Sequence, residues 1–247
     1  ILSAFVEYAC LLPDSGCLIY CADEPGAVQA AETLRVKRPD IRLIEYGFKA
    51  EGAFQIIDYR QMPGEQHFSI GCYGGKRFVL KVPGRHNVLN STAAAAVLQC
   101  IIDDNSFKIN AADGIAQGLE NFKGTKRRSE IVGHYDDIVI MDDYGHHPGA
   151  IKTTLAGLKN FYPDRRLIVD FMSHTYSRTE ALLEDFADSF GSADMVLLHK
   201  IYASAREKKG TITGRNLYEK VAEKHEKVEY FEEVMDAFDY TSEILQP

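Results

Sequence analysis

At 247 residues the chain has room for one large domain or two ordinary ones of about 100–150 residues each. Hydrophobic residues make up 45% and charged residues 26%, a globular mix that excludes long disorder. Lys+Arg 28 against Asp+Glu 36 leaves −8, which argues against a nucleic-acid or anionic-membrane protein while leaving room for a local basic pocket.

The chain opens in an apolar helical pattern (Phe5, Ala9, Leu12) without the charged leader or small-residue cleavage site of a signal peptide. A short apolar strand over 17–21 runs into Ala22-Asp23-Glu24-Pro25, where proline and acids favour a first helical turn. Residues 41–46, 54–59, 66–72 and 76–82 read as strands, the last two joined as a hairpin at Gly74-Gly75. After the Pro83-Gly84 break comes an alanine-rich helix over 87–102, capped by Asn87 or Ser91, and a second near 111–120. The basic, glycine-bearing stretch 122–128 is the expected hinge.

Beyond it, short apolar strands (138–141, 167–172, 195–198) alternate with helices, one starting at Pro148 and one near 217–225, before a last strand over 228–231. Ser177-Arg178-Thr179-Glu180 has the form of a capping box ahead of one helix face made by Leu183, Phe186, Ala187 and Phe190. Such alternation predicts a Rossmann-like, doubly wound α/β domain with a mainly parallel sheet covered on both faces.

Parallel α/β sheets take ligands outside the carboxyl ends of their strands. The polar residues collect there: Asp142 to Pro148 after the first strand, Ser173 to Arg178 after the second, and His199 to Tyr202 after the third. Right-handed crossovers bring the three loops to one sheet edge. Each piece also has a plainer role. His146-His147 suits a helix N-terminus with solvent-facing rings, Asp142-Asp143 suits the positive end of the next helix, and Ser177 suits its cap. A cation at Arg178 opposes the helix dipole, which favours an anion-binding role, and no G-x-S-x-G elbow surrounds Ser177.

In the first half, Gly84 lets the backbone turn, and His86 and Asn90, four apart, present a ring and an amide to one planar ligand or simply mark a strand-to-helix junction. Arg127-Arg128 either neutralises phosphate or is a solvated linker. Neither G-x-x-x-x-G-K-[ST] nor G-x-G-x-x-G occurs. The five cysteines form no C-x-x-C pair and read as reduced, mostly buried thiols, not as zinc ligands. No apolar run nears the roughly 20 residues that cross a bilayer, so the expectation is a cytoplasmic protein without membrane or nucleic-acid partners.

In this order the stretches PGRHNVLNSTAAAAV (from Pro83), FKGTKRRSE (from Phe122), DDYGHHPGAIKTTL (from Asp142), HTYSRTEALLEDF (from His174) and IYASARE (from Ile201), with the weaker CADEP (from Cys21), resemble the Mur ligases. Within that family they resemble the type that joins L-alanine to UDP-N-acetylmuramate. The resemblance implies that residues 1–125 are the back of the central, ATP-binding domain and 126–247 the C-terminal, Rossmann-like domain. It also implies that the UDP site, the P-loop and the main Mg²⁺ ligands lie upstream, so that this piece alone is inactive, a monomer or a homodimer.

Carried over by resemblance, His86, Asn87 and Asn90 contact the adenine of ATP, Asp143 the ribose, and Arg128 the phosphates on domain closure. His174, Arg178 and His146 become the catalytic set, and Tyr144, His146, His147 and Tyr202 line the substrate side. No metal ligand falls in this piece. His199-Lys200 stands where the family usually has an acid, so no acidic role transfers to that strand end. Met172-Ser173 stands where the family usually has Gln-Pro. The remaining alternatives are the murein tripeptide-recycling ligase, another amide ligase of the superfamily, and a non-catalytic nucleotide- or peptide-binding module.

Overall fold

A computed structural model describes residues 1–205, 207 and 210–245. The chain divides into two compact units, Ile1–Lys123 and Gly124–Pro247.

The first unit begins with α1 (Leu2–Ala9), β1 (Cys17–Cys21), α2 (Pro25–Lys37) and β2 (Arg42–Gly47). β3 (Phe54–Met62), β4 (Glu65–Ile70), β5 (Arg77–Leu80), α3 (Arg85–Asp104) and α4 (Ala111–Glu120) follow. The sheet order is β1-β2-β3-β4-β5; the first three strands are parallel and the last two antiparallel. The turn between β4 and β5 is a 3-10 segment ending in Gly74, whose φ of 59° is left-handed. A second hairpin, unforeseen in sequence, joins β3 to β4 through Pro63-Gly64. Phe68, Ile70, Phe78 and Leu80 alternate onto the inner face, where they meet Val88 and Ala96 of α3.

The second unit runs β6 (Glu130–Tyr135), β7 (Ile138–Asp142), α5 (Pro148–Phe161), β8 (Ile168–Phe171), α6 (Tyr176–Ala181) and α7 (Leu183–Ala187). It continues with β9 (Met195–Leu198), α8 (Gly214–Ala222), β10 (Val228–Tyr230) and α9 (Phe238–Ile244). β10, β9 and β8 form a parallel sheet in that order. Its core gathers Phe186, Phe190, Val196, Leu198, Leu217 and Val221, each fully buried.

Several expectations change here. The strand over 138–141 pairs antiparallel with β6 in its own two-stranded sheet, and not with β8. Tyr135 pairs with Ile138, leaving a two-residue turn whose Asp136 has a φ of 47°, a conformation that aspartate tolerates. The single helix expected after residue 177 is two short ones broken at Leu182, and Phe190 lies beyond both. Ser177 is inside α6; the cap is Thr175, whose hydroxyl accepts from the Arg178 amide. At α3 the N-cap position is Gly84, while Asn87 donates back to the Pro83 carbonyl and Ser91 is buried within the helix. The free cysteines are half-buried or, for Cys72, exposed.

Candidate active site

Beyond the ends of β8 and β9 the backbones stay in register. The Tyr202 amide donates to the Ser173 carbonyl at 2.8 Å, and the Thr175 amide donates to the Tyr202 carbonyl at 3.1 Å. This isolated bridge seats His174 beside Tyr202, their rings stacked with centroids 5.7 Å apart. Both side chains are exposed.

Thr175 adopts a φ of 74°, costly for a β-branched residue by roughly 1–3 kcal/mol. Its surroundings impose it. The Thr175 carbonyl accepts from the Thr179 amide and hydroxyl, and Thr179 in turn bonds Ser173 at 2.6 Å in the buried interior. Arg178 swings back so that its guanidinium donates to the His174 carbonyl at 3.2 Å. Glu207 accepts from the Tyr176 and Ser177 amides, and hydrogen bonds from the Ser177 side chain and these amides hold its carboxyl below the usual range. Arg206, in the same matched stretch, lies outside the described residues.

The loop after β7 makes a second cluster. Asp143 accepts from the Ser129 amide and hydroxyl through Oδ2 and from the Gly145 amide through Oδ1, so its carboxylate clips two loop segments together. The Tyr144 ring meets that of His146 edge-on, with centroids 5.3 Å apart, and His146 Nδ1 lies 3.0 Å from the Tyr144 carbonyl. Arg127, weighed in sequence as a phosphate-neutralising or linker residue, has its guanidinium 4.7 Å from the Tyr144 ring centroid and pairs with Asp142. Arg128 is exposed between Arg127 and Ser129, whose φ values of 57° and 46° make the turn tight. His147 takes the plainer role: its Nδ1 accepts from the Gly149 amide and caps α5. Among the described residues, no hydrogen bond, ion pair or ring contact joins Tyr144 or His146 to His174 or Tyr202.

In the first unit, the ring of His86 folds over Gly84, whose φ of 91° favours glycine; a Cβ there would sit 2.4 Å from Cε1 and displace the ring. Asn90 is exposed and donates to Asn87. Arg85, unforeseen in sequence, lies 3.7 Å from the centroid of the Phe48 ring and anchors the start of α3. Asp23, in the CADEP stretch, accepts from the Phe48 amide at 2.7 Å and fixes the exit of β2.

Among the described residues no group of three or more His, Cys, Asp or Glu side chains is gathered to hold a metal, and no helix is long and apolar enough to cross a membrane.

Residues 127–247 match the family described as "Mur ligase, glutamate ligase domain". The chain is 43% identical over 240 residues to a UDP-N-acetylmuramate–L-alanine ligase of Treponema pallidum, covering 96% of this chain and 50% of that protein. The same enzyme of Borreliella burgdorferi is 32% identical over 244 residues, 98% of this chain and 51% of the relative. The chain therefore spans about half the length of the curated relatives it matches. Among solved structures, UDP-N-acetylmuramate-alanine ligase from Thermotoga maritima superposes with a TM-score of 0.63 at 20% identity, covering 90% of this chain and 49% of that one. MurF from Acinetobacter baumannii gives 0.69 at 17% identity, covering 97% and 47%. These likenesses establish a shared fold.

Proposed function

We propose, because residues 127–247 match the Mur ligase family, that the chain is part of an ATP-dependent amide ligase joining L-alanine to UDP-N-acetylmuramate. The reaction serves cytoplasmic synthesis of a cell-wall precursor. The observation that carries this is the stacked His174–Tyr202 pair, with Arg178 beside it, at parallel strand ends. It occurs in a chain 43% identical to a ligase of that name.

In the proposed reaction the muramoyl carboxylate attacks the γ-phosphorus of ATP, giving an acyl phosphate and ADP. The alanine amine then attacks the acyl carbon, phosphate leaves, and the amine gives up a proton. His174, exposed and held by the main-chain bridge, is assigned to accept that proton. Arg178 supplies fixed positive charge toward the anions that gather there. Tyr144, His146 and Tyr202 are assigned to the substrate side. His147 contributes by fixing the start of α5.

On the first unit, His86, Asn87 and Asn90 are assigned to the adenine of ATP. On the second, Arg128 is assigned to phosphate. Asp143 is assigned to the ribose through lone pairs its internal bonds leave free. ATP supplies the driving force by making phosphate the leaving group. Mg²⁺ would neutralise the phosphates, and no residue of this chain is assigned to it.

The test uses a full-length enzyme containing this sequence, with UDP-N-acetylmuramate, ATP and Mg²⁺, offering each amino acid in turn and measuring phosphate release. L-Alanine should be the preferred acceptor, and absence of L-alanine-dependent release overturns the assignment. His174→Ala and Arg178→Ala should each lower kcat by about 10²–10⁴-fold, the range for proton transfer and fixed-charge groups. Wild-type rates in both refute the site.

A further inference from the structure

His199 is fully buried, and the proposed chemistry does not use it. It stands just past the end of β9, three residues before Tyr202. Its ring is bounded by oxygen on both nitrogens: Nε2 lies 2.7 Å from Asp170 Oδ1 on β8, and Nδ1 lies 3.2 Å from the carbonyl of Phe231 just beyond β10. A carboxylate and a carbonyl only accept hydrogen bonds, so satisfying both contacts requires a proton on each nitrogen. A buried neutral ring would leave one acceptor facing a lone pair.

The surrounding charges favour the cation. Asp170 faces it from β8, and Asp236 contributes from the 3-10 turn Val234–Ala237. Lys200, next in sequence, is itself paired with Glu233. Glu232 bonds the Tyr230 hydroxyl. Burial pulls the ring's pKa down, but the Asp170 bond and charge and the Phe231 carbonyl outweigh it, and the net direction is upward.

We propose that His199 is a positioning residue for the strand-end site: a buried imidazolium that ties β8, β9 and the exit of β10 together and so sets Tyr202 against His174. Pairing of β8 with β9 ends at Phe171 with Leu198 and resumes only at the His174–Tyr202 bridge. In the gap between, the His199 ring reaches both Asp170 on β8 and the Phe231 carbonyl beyond β10, and the Lys200 amide adds a bond to the Glu232 carbonyl at 3.3 Å. Deprotonation removes one of the two contacts, and the bridge beyond it loses its footing. The inference rests on the ligase reading only for its use; the clasp itself is a property of this chain.

The test is nitrogen-15 histidine NMR on the 247-residue chain, in the wild type and in Asp170→Asn. Asp170 is half exposed at its side chain, so that variant tests the charge without opening the core. In the wild type both His199 nitrogens should carry protons at and above the pH where a free imidazole titrates. In Asp170→Asn the midpoint should move to lower pH, and the ring-current shift that Tyr202 imposes on His174 should weaken once His199 is neutral. His199→Gln, which carries no charge at any pH, should weaken the Tyr202 ring-current shift on His174 even where wild-type His199 is protonated. A single neutral tautomer at pH 6, or His174 signals indifferent to both substitutions, overturns the proposal. Because these signals are read without substrate, loss of the ligase assignment with the signals intact leaves the clasp standing. Phosphate release without the signals removes the clasp alone.

Discussion

Gly214 opens α8 hard against the end of β9, and replacing it with alanine is a measurable insult to the site's foundation. A Cβ at this position would lie 2.3 Å from the His199 carbonyl oxygen, 2.8 Å from Lys200 Cα and 3.0 Å from the His199 carbonyl carbon. Carbon contacts are comfortable at about 3.5–4.0 Å, so helix or strand end must retreat by roughly 1 Å. Neither moves freely. The Thr213–Asn216 capping box fixes the helix start, and Leu217 and Val221 are fully buried one and two turns on. Overpacking of this kind costs about 1–3 kcal/mol, partly offset by the roughly 0.5–1 kcal/mol that alanine gains over glycine in a helix. The expected net loss is therefore about 1 kcal/mol, taking the middle of both ranges. Urea unfolding followed by tyrosine fluorescence and circular dichroism measures it. Gly118→Ala in α4, where nothing lies within 4 Å of the new methyl, is the control and should stabilise slightly. A Gly214→Ala protein as stable as the wild type, or more so, refutes the close-approach argument.

Phe186 is fully buried against Phe171, so Phe186→Ala should destabilise the second unit by about 3–5 kcal/mol, read by the same unfolding assay. Asp143→Ala releases the Ser129 and Gly145 amides, and both should exchange with deuterium much faster while core amides of β9 stay protected. Asp194 has its pKa lowered by the Leu167 amide and Lys159, so its contribution is present above the ordinary carboxylate range and lost as pH falls through the folded value. His199 has its pKa raised, so its contribution is complete below the ordinary imidazole range and lost as pH climbs through the folded value. Stability of the wild type should thus decline toward both extremes, and Asp194→Asn should flatten only the acid side.

Much of this architecture is legible from local patterns. The apolar run 195–198 is fully buried because it is the central strand of its sheet, and Pro148 marks the start of α5 because proline suits a first helical turn. What escapes are features set by partners distant in sequence. β6 is largely exposed, with no apolar run to announce it, and only the Asp136-Asp137 turn hints at the hairpin that takes β7 out of the parallel sheet. Thr175 caps α6 from a left-handed conformation that no propensity favours, because the Tyr202 carbonyl and Thr179 hold it there. Within the site, the clustering of His174, Arg178 and Tyr202 follows from parallel strand ends. The stacking of Arg127 on Tyr144 and the engagement of Glu207 with the α6 amides depend on loop paths that spacing does not encode.

Amide and carbonyl groups, common to every residue type but proline, hold residues 173–175 against residue 202. The bridge bonds themselves therefore do not depend on which side chains stand at 174 and 202. Exchanges at positions 174 or 202 can change the chemistry displayed at these strand ends while the main-chain bridge keeps its place.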